Sequence, residues 1–212
     1  MDSSVRQEPL VQPGYDALAR RYAELFPSPY LTHLERHVVH AFADLVTDAG
    51  HRGVVVDVGS GLGQVTADLV ERGLDVVGVE PSDAMREIAV RNYPGCRFLR
   101  DDAYLAGPGA TVEVAAILAR FSVIHIPPEE VPEVFATWAR RLGTGTVVLI
   151  ACQTADDGVR EFDHAVARAW RWSPDRLAET LDEAGFEEIW RTVSRPDADH
   201  RFPDVHLVAR RR

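Results

Sequence analysis

The sequence contains no lysine; all 23 basic side chains are arginine. That excludes lysine as a base, a Schiff-base former or a catalytic ammonium anywhere in the chain. Cysteine is nearly absent, and Cys96 and Cys152 have no metal-type spacing, so they read as two separate reduced thiols. No apolar run approaches the ~18 residues of a membrane helix, so no membrane partner is expected. Met1 to Gly14 is polar and lacks the basic start and apolar stretch of a signal peptide, which predicts a cytoplasmic protein. Positive charge is outweighed to a formal net charge of −10, which makes nucleic acid a poor partner. What is present is an apolar fraction of 46% in 212 residues, enough for one globular domain with a real core.

The chain starts as helix and then changes rhythm. Tyr15, Leu18, Tyr22 and Leu25 recur at helical spacing until Pro27-Ser28-Pro29 breaks the pattern. A second helix is predicted from about Tyr30 to Ala49, with Leu31, Leu34, Val38, Phe42 and Leu45 on one face. From Gly53 onward short apolar runs alternate with helical segments. Strands are expected at 53–57, 74–79, 96–100, 112–118 and 146–151, with helices between them, and a final strand pair at 186–193 and 205–209. Strands apolar on both faces and alternating with helices indicate a doubly wound α/β domain with a mostly parallel sheet. No repeat or linker interrupts it, so a single domain over 1–212 is expected. Residues 1–14 read as a flexible tail, 15–50 as a helical lid and 51–212 as a Rossmann-like core.

The informative stretch is Val54-Val55-Val56-Asp57-Val58-Gly59-Ser60-Gly61-Leu62-Gly63, a buried strand that runs into a glycine turn at the mouth of a helix. Glycines let a ligand approach the backbone closely, and in an open parallel sheet such a turn lies where ligands bind. A dinucleotide fingerprint needs glycine where Gln64 stands. Asp57 would also place an acid near a pyrophosphate. Both features suit a ligand carrying an ammonium, a sulfonium and one carboxylate. Glu80, in Val79-Glu80-Pro81-Ser82, ends the second strand at the right distance to grip ribose hydroxyls. Asp101-Asp102-Ala103 follows the third strand, where an acid can accept from an adenine amine.

These elements resemble the class I S-adenosylmethionine-dependent methyltransferases, in particular the small bacterial ones that act on metabolites. The match is D-x-G-x-G-x-G at 57–63, E-P-S-x-x-M at 80–85 and D-A at 102–103. The Tyr15–Tyr22 segment resembles that family's lid helix, and Ser122 to Glu130 its segment after the fourth strand. The resemblance implies strand order 3-2-1-4-5-7-6 with strand 7 antiparallel, and S-adenosyl-L-methionine as cofactor. It implies that Gly59, Ser60 and Gly61 line the methionine part, with Asp57 orienting the loop. Glu80, flanked by Pro81 and Ser82, would hold the ribose. Met85 would pack on adenine, and Asp102, beside Asp101 and Ala103, would take its amine. Tyr22 would reach the cofactor carboxylate and Tyr15 would cap the methyl group.

Blander readings stand beside these. Met85 also fits plain core packing, and Tyr15 and Tyr22 fit an amphipathic docking face. His125 suits a base or orienting group near the acceptor, or equally a helix-entry histidine bonded to backbone. His33 and His37 share a helix face, but the zinc-protease pattern and a third ligand are missing, so no metal site is expected. Trp170 and Trp172, with Phe162 and His164, read either as strand packing or as an aromatic pocket wall, with Gln153 as a polar candidate. Arg120-Phe121-Ser122 replaces the Asp/Asn-Pro-Pro-Tyr of enzymes that methylate base amines, and no acid for Mg²⁺ ends that strand. The expected activity is metal-independent methyl transfer to a small-molecule acceptor by a monomer or homodimer. The competing readings are a non-methylating enzyme or binding module that uses the same cofactor, and an NAD(P)-dependent oxidoreductase.

Overall fold

The computed structural model describes residues 13–196 and 201–212. Six helices and nine strands follow one another: α1(Pro13–Leu25), α2(His33–Ala49), β1(Val54–Val58), α3(Gln64–Glu71), β2(Val76–Val79), α4(Asp83–Asn92), β3(Arg97–Leu99), β4(Val114–Arg120), α5(Val131–Arg141), β5(Val147–Gln153), β6(Val159–Phe162), β7(Ala169–Trp172), α6(Pro174–Glu183), β8(Phe186–Val193) and β9(Asp204–Arg211). The predicted tail falls mostly on residues 1–12, outside the described residues. Pro13 and Gly14 already belong to α1, where proline suits a helix's first turn.

Seven strands form one sheet in the order β3-β2-β1-β4-β5-β9-β8. The first five are parallel, and β9 runs antiparallel to both β5 and β8. This is the order and the antiparallel end expected from the sequence. Alternation along the strands explains the layers. On one face Val54, Val56, Val58, Ile117, Ala119, Val148 and Ile150 pack with Val134, Phe135 and Trp138 of α5 and Leu177 and Leu181 of α6. On the other, Val55, Ala116, Leu118, Val147 and Leu149 pack with Val38, Val39, Phe42 and Ala43 of α2 and Leu69 of α3. Each central strand is buried on both sides, as runs apolar at all positions but one require. The strand order reverses between β1 and β4, so a crevice opens at their carboxyl ends.

Two expectations are corrected. The inward stripe of α2 is Glu35, Val38, Val39, Phe42, Ala43 and Val46, whereas Leu31 and Leu34 are 45% and 44% exposed. The helix is turned this way because Glu35 pairs inside with Arg120 of β4. It also starts later than predicted, at His33, capped by the Thr32 side chain. Trp170 and Trp172 lie on β7, which pairs with β6 in a separate two-stranded sheet. Both indoles are buried in packing, and neither lines the crevice. The segments Val-Arg-Glu-Phe and Ala-Trp-Arg-Trp make this hairpin; neither shows the period-two alternation that marks a strand, so the sequence pattern does not predict either as one.

Trp138 is fully buried, and its indole N–H donates to the Ala103 carbonyl at 2.8 Å, tying α5 to the loop after β3. Truncating it removes a large buried surface and orphans that carbonyl. Trp138→Ala is therefore expected to lose about 3–5 kcal/mol of stability in denaturant titration. Trp138→Phe, which keeps most of the volume, should lose clearly less.

Candidate functional site

The site begins at the end of β1. Gly59, Gly61 and Gly63 all hold left-handed backbone angles. At Gly59 an added Cβ would lie 2.4 Å from the Cβ of Ser122, so the turn can touch the end of β4 only with glycine there. At Gly61 an added Cβ would meet nothing within 4 Å, because that side of the turn faces open space. The turn is anchored sideways: the Gly59 and Ser60 N–H groups donate to the Val79 carbonyl at 2.8 and 3.1 Å.

Glu80 completes this anchor. It is 6% exposed, and its two carboxylate oxygens accept from the N–H of Gly61 and of Ser82, each at 2.8 Å. Burial pushes its pKa up to about 7 against the pull of those two N–H groups. Asp57 is equally buried and is raised to about 6 by burial, although the Thr66 hydroxyl donates to it at 2.6 Å and Arg120 lies nearby. Asp102 is buried at the cavity wall and accepts from the Tyr104 N–H at 2.9 Å. Asp101 turns away: its carboxylate accepts from the N–H groups of Asp102, Gly107 and Gly109 and shapes the loop. Ser82 likewise faces the protein, capping α4.

Helix α1 covers the crevice. Its Asp16 carboxylate accepts from the Ser82 hydroxyl at 2.7 Å and the Ala84 N–H at 3.1 Å, a second cap on α4. Gln64 holds the other end, donating to the Phe26 carbonyl at 2.8 Å. Gly14 lies against the loop between β6 and β7, so closely that a Cβ there would overlap the Val166 carbonyl. Beneath this cover Tyr15 and Tyr22 pack on a small cluster containing Met85, Leu62 and Ile88. Met85 therefore packs in a core and also lines the cavity.

Tyr15 and His125 meet at 2.8 Å between the hydroxyl and Nε2, and Nδ1 of His125 lies 2.9 Å from the Arg168 carbonyl. A carbonyl can only accept, so Nδ1 carries the proton and Nε2 accepts from the Tyr15 hydroxyl. Burial lowers the His125 pKa to about 4, with a contribution from neighbouring His164 and opposition from the Arg168 carbonyl. Burial also raises the Tyr15 pKa. The pair is thus neutral near pH 7, with its tautomer fixed by the backbone.

A cavity of about 730 Å³ joins these groups. It runs from Glu80, Pro81, Met85, Asp102 and Ala103, past the glycine turn, Tyr15, Tyr22 and His125, to Phe121, Gln153, Phe162, His164 and Phe202. Two charged residues on its wall have no place in the expectations drawn from the sequence. Arg120 and Glu35 form a 2.7 Å ion pair with side chains 9% and 7% exposed, and Arg120 also donates to the Pro29 carbonyl. The available signals were a charge ending an otherwise apolar strand and a Thr-x-x-Glu start, which read as an ordinary helix cap. His33 and His37 are exposed and do not line the cavity. Among the described residues no three His, Cys, Asp or Glu side chains are grouped to hold a metal ion, and no helix is long and apolar enough to cross a membrane.

The model of the family described as "Methyltransferase domain" matches residues 55–145. An uncharacterised methyltransferase of Bacillus licheniformis is 31% identical over 146 residues, 69% of this chain and 67% of that protein. The chain belongs to the class I S-adenosylmethionine-dependent methyltransferases. An uncharacterised methyltransferase of Geobacillus kaustophilus is 30% identical over 61% of the chain and 60% of its own length. The fold is shared with two solved enzymes. The 1,6-didemethyltoxoflavin-N1-methyltransferase of Burkholderia thailandensis has TM-score 0.65 and 20% identity, covering 100% of this chain and 97% of that one. The magnesium protoporphyrin IX methyltransferase of Synechocystis has TM-score 0.71 and 16% identity, covering 95% and 97%.

The methyltransferase cavity fits S-adenosylmethionine, the family's cofactor. Glu80 keeps unused lone pairs, Ser60 Oγ is buried without a partner, and the turn at Gly61 is open. Its acids also oppose a phosphate-rich ligand. Because the folded state raises the Glu80 pKa from 4.5 to about 7, it holds a proton that the unfolded chain releases in this range. Glu80's contribution to stability therefore falls as pH rises between those values. Thermal melts of the ligand-free protein from pH 5 to 8 should decline with pH less steeply in Glu80→Gln.

Proposed function

We propose that this methyltransferase transfers the methyl group to an oxygen, nitrogen or carbon atom of a small molecule, without a metal ion. The observation that carries this reading is the Tyr15–His125 hydrogen bond beside the glycine turn, where the cavity leaves its acidic end. The names of the two solved neighbours, with 1,6-didemethyltoxoflavin and magnesium protoporphyrin IX as their small molecules, support an acceptor of that kind.

In this reading Glu80 accepts from ribose hydroxyls, Met85, Pro81 and Ala103 pack around adenine, and Asp102 accepts from its amine. Gly59, Ser60 and Gly61 line the methionine part, on a turn that Asp57 helps to orient. Asp101 and Ser82 act behind them by holding the loop and α4. Tyr22 reaches toward the methionine carboxylate, with the charge of Arg120 close enough to act on it. When bound, S-adenosylmethionine supplies a methyl group on positively charged sulfur.

The protein's work is to align the acceptor and exclude water, which can supply ~7–11 kcal/mol. The new bond forms at the acceptor's nucleophilic atom as the carbon–sulfur bond breaks, with its electron pair left on sulfur. The acceptor's proton passes to the Tyr15 oxygen while the proton of Tyr15 moves to Nε2 of His125. The fixed tautomer leaves Nε2 free to receive it. Asp16, Gln64 and Gly14 hold α1 down over the reacting groups.

The test is transfer of isotopically labelled methyl to a small-molecule extract, followed by mass spectrometry. A labelled product is expected with wild-type protein, in the presence of a chelator as well. His125→Ala and Tyr15→Phe should each lower the rate by about 10²–10⁴-fold. The wild-type rate should hold from pH 8 to about 5 and fall as His125 protonates near 4. Undiminished turnover by His125→Ala across that range would eliminate the proton role.

A further inference from the structure

Beyond Tyr15 and His125 the cavity changes character. Its walls there come from Phe121 after β4, Gln153 at the end of β5, Phe162 and His164 of the hairpin, and Phe202 before β9. Three of these are phenyl rings. Phe162 and Phe202 meet edge to face at 5.5 Å between centroids. Phe202 is also held by two guanidinium groups, Arg171 at 4.1 Å and Arg201 at 4.7 Å from its ring. Phe121 takes a positive φ of 53°, rare for a residue with a side chain, and its N–H donates to the Ala151 carbonyl at 2.8 Å. The backbone is thus strained where this ring joins the wall.

Among these rings two polar groups lack a partner, the Ser122 hydroxyl beside Phe121 and the amide of Gln153, and of the two the amide presents its acceptor and its donors on separate atoms. Its Oε1 is buried and accepts no hydrogen bond, and its amide nitrogen donates none among the described residues. Native structures rarely leave such a group unmet, so it calls for a partner such as a water, an ion or a ligand, and this one stands on the wall of a cavity large enough for a ligand. Gln153 stands at the last register position of β5, opposite Asp204 of β9, so the sheet holds its backbone in place. A primary amide offers one acceptor and two donors side by side. Its complement is a group with an N–H and a C=O on adjacent atoms.

We propose that the acceptor is a planar ring carrying a lactam-type edge, with its faces on Phe121, Phe162 and Phe202 and its edge paired with the Gln153 amide. Gln153 is then a specificity-determining residue: rings of the same shape that lack the edge are selected against because they leave the amide unpaired. This rests on the reading of the cavity as a methyltransferase site, since it concerns the acceptor end of the same cavity.

The test uses the full chain saturated with S-adenosylhomocysteine and two probes of equal shape, 2-quinolone with the lactam edge and quinoline without it. Calorimetry should give a Kd at least tenfold lower for 2-quinolone. Gln153→Leu should erase that preference, weakening 2-quinolone and tightening quinoline because no amide is left unpaired, while S-adenosylhomocysteine still binds, which shows that the variant is folded. Gln153→Asn, which keeps the amide on a shorter arm, should retain part of the preference. Equal binding of the two rings, binding of neither, or an undiminished preference in Gln153→Leu overturns the proposal. Absence of heat with S-adenosylhomocysteine itself would instead remove the cofactor reading on which it rests.

Discussion

The site depends on one buried carboxylate. Glu80 lies at the end of β2, yet both of its oxygens are engaged by backbone N–H groups, one from the turn after β1 and one from the start of α4. It therefore fixes two loops relative to each other before any ligand arrives. The cost of burying an acid is visible in its pKa, raised to about 7, and charge-assisted N–H donors offset only part of it. Such a group is suited to accept further hydrogen bonds from a ligand that brings donors, because binding completes its solvation. Asp57 repeats the theme one strand away, held by the Thr66 hydroxyl.

A second constraint is the way the cover is attached. Helix α1 stands apart from the main core: Ala19, its buried residue, packs in the small cluster with Leu62, Met85 and Ile88. It is held instead by polar clips at separate points: Asp16 on α4, Tyr15 on His125 and Gln64 on the Phe26 carbonyl. Polar clips are individually modest, about 0.5–1.5 kcal/mol each, and more where a charge takes part. A cover held this way can open without unfolding the sheet. One of its clips is also the pair proposed for proton transfer, so in that proposal closing the cover and completing the reactive pair are the same event. The buried Arg120–Glu35 pair works differently. It joins α2 to β4 at the cavity wall, and removal of either partner would leave an uncompensated charge inside.

Much of the architecture is legible from one-dimensional pattern. Short runs such as Val54–Val58 and Val147–Gln153 are apolar at every position but one, Asp57 in the first and Gln153 at the end of the second, a pattern that two-sided burial satisfies. The glycine turn, Glu80 and Asp102 stand at strand ends in sequence and therefore at the crevice in space. Where pattern misled, a tertiary partner was responsible. Leu31 and Leu34 fit an apolar stripe, but the helix turned to bring Glu35 to Arg120. Trp170 and Trp172 fit either strand packing or a pocket wall, and the antiparallel hairpin that buries them decides for packing. Asp101 and Asp102 are adjacent and chemically alike, and backbone geometry alone turns one to the loop and the other to the cavity.

The sequence by itself determined the strands, the parallel sheet and the acidic end of the cavity, because those follow from periodicity and from residues a few positions apart, and its resemblance to the family implied the strand order. Only the tertiary structure decided which nitrogen of His125 carries the proton, which chain segments clamp the cover and which polar group is left unmet at the far end. Those features join residues more than forty positions apart: Tyr15 with His125, His125 with Arg168, and Phe121 with Phe162 and Phe202. Local propensity carries no information about such pairings, which arise when the packed strands and helices bring distant side chains within hydrogen-bonding distance.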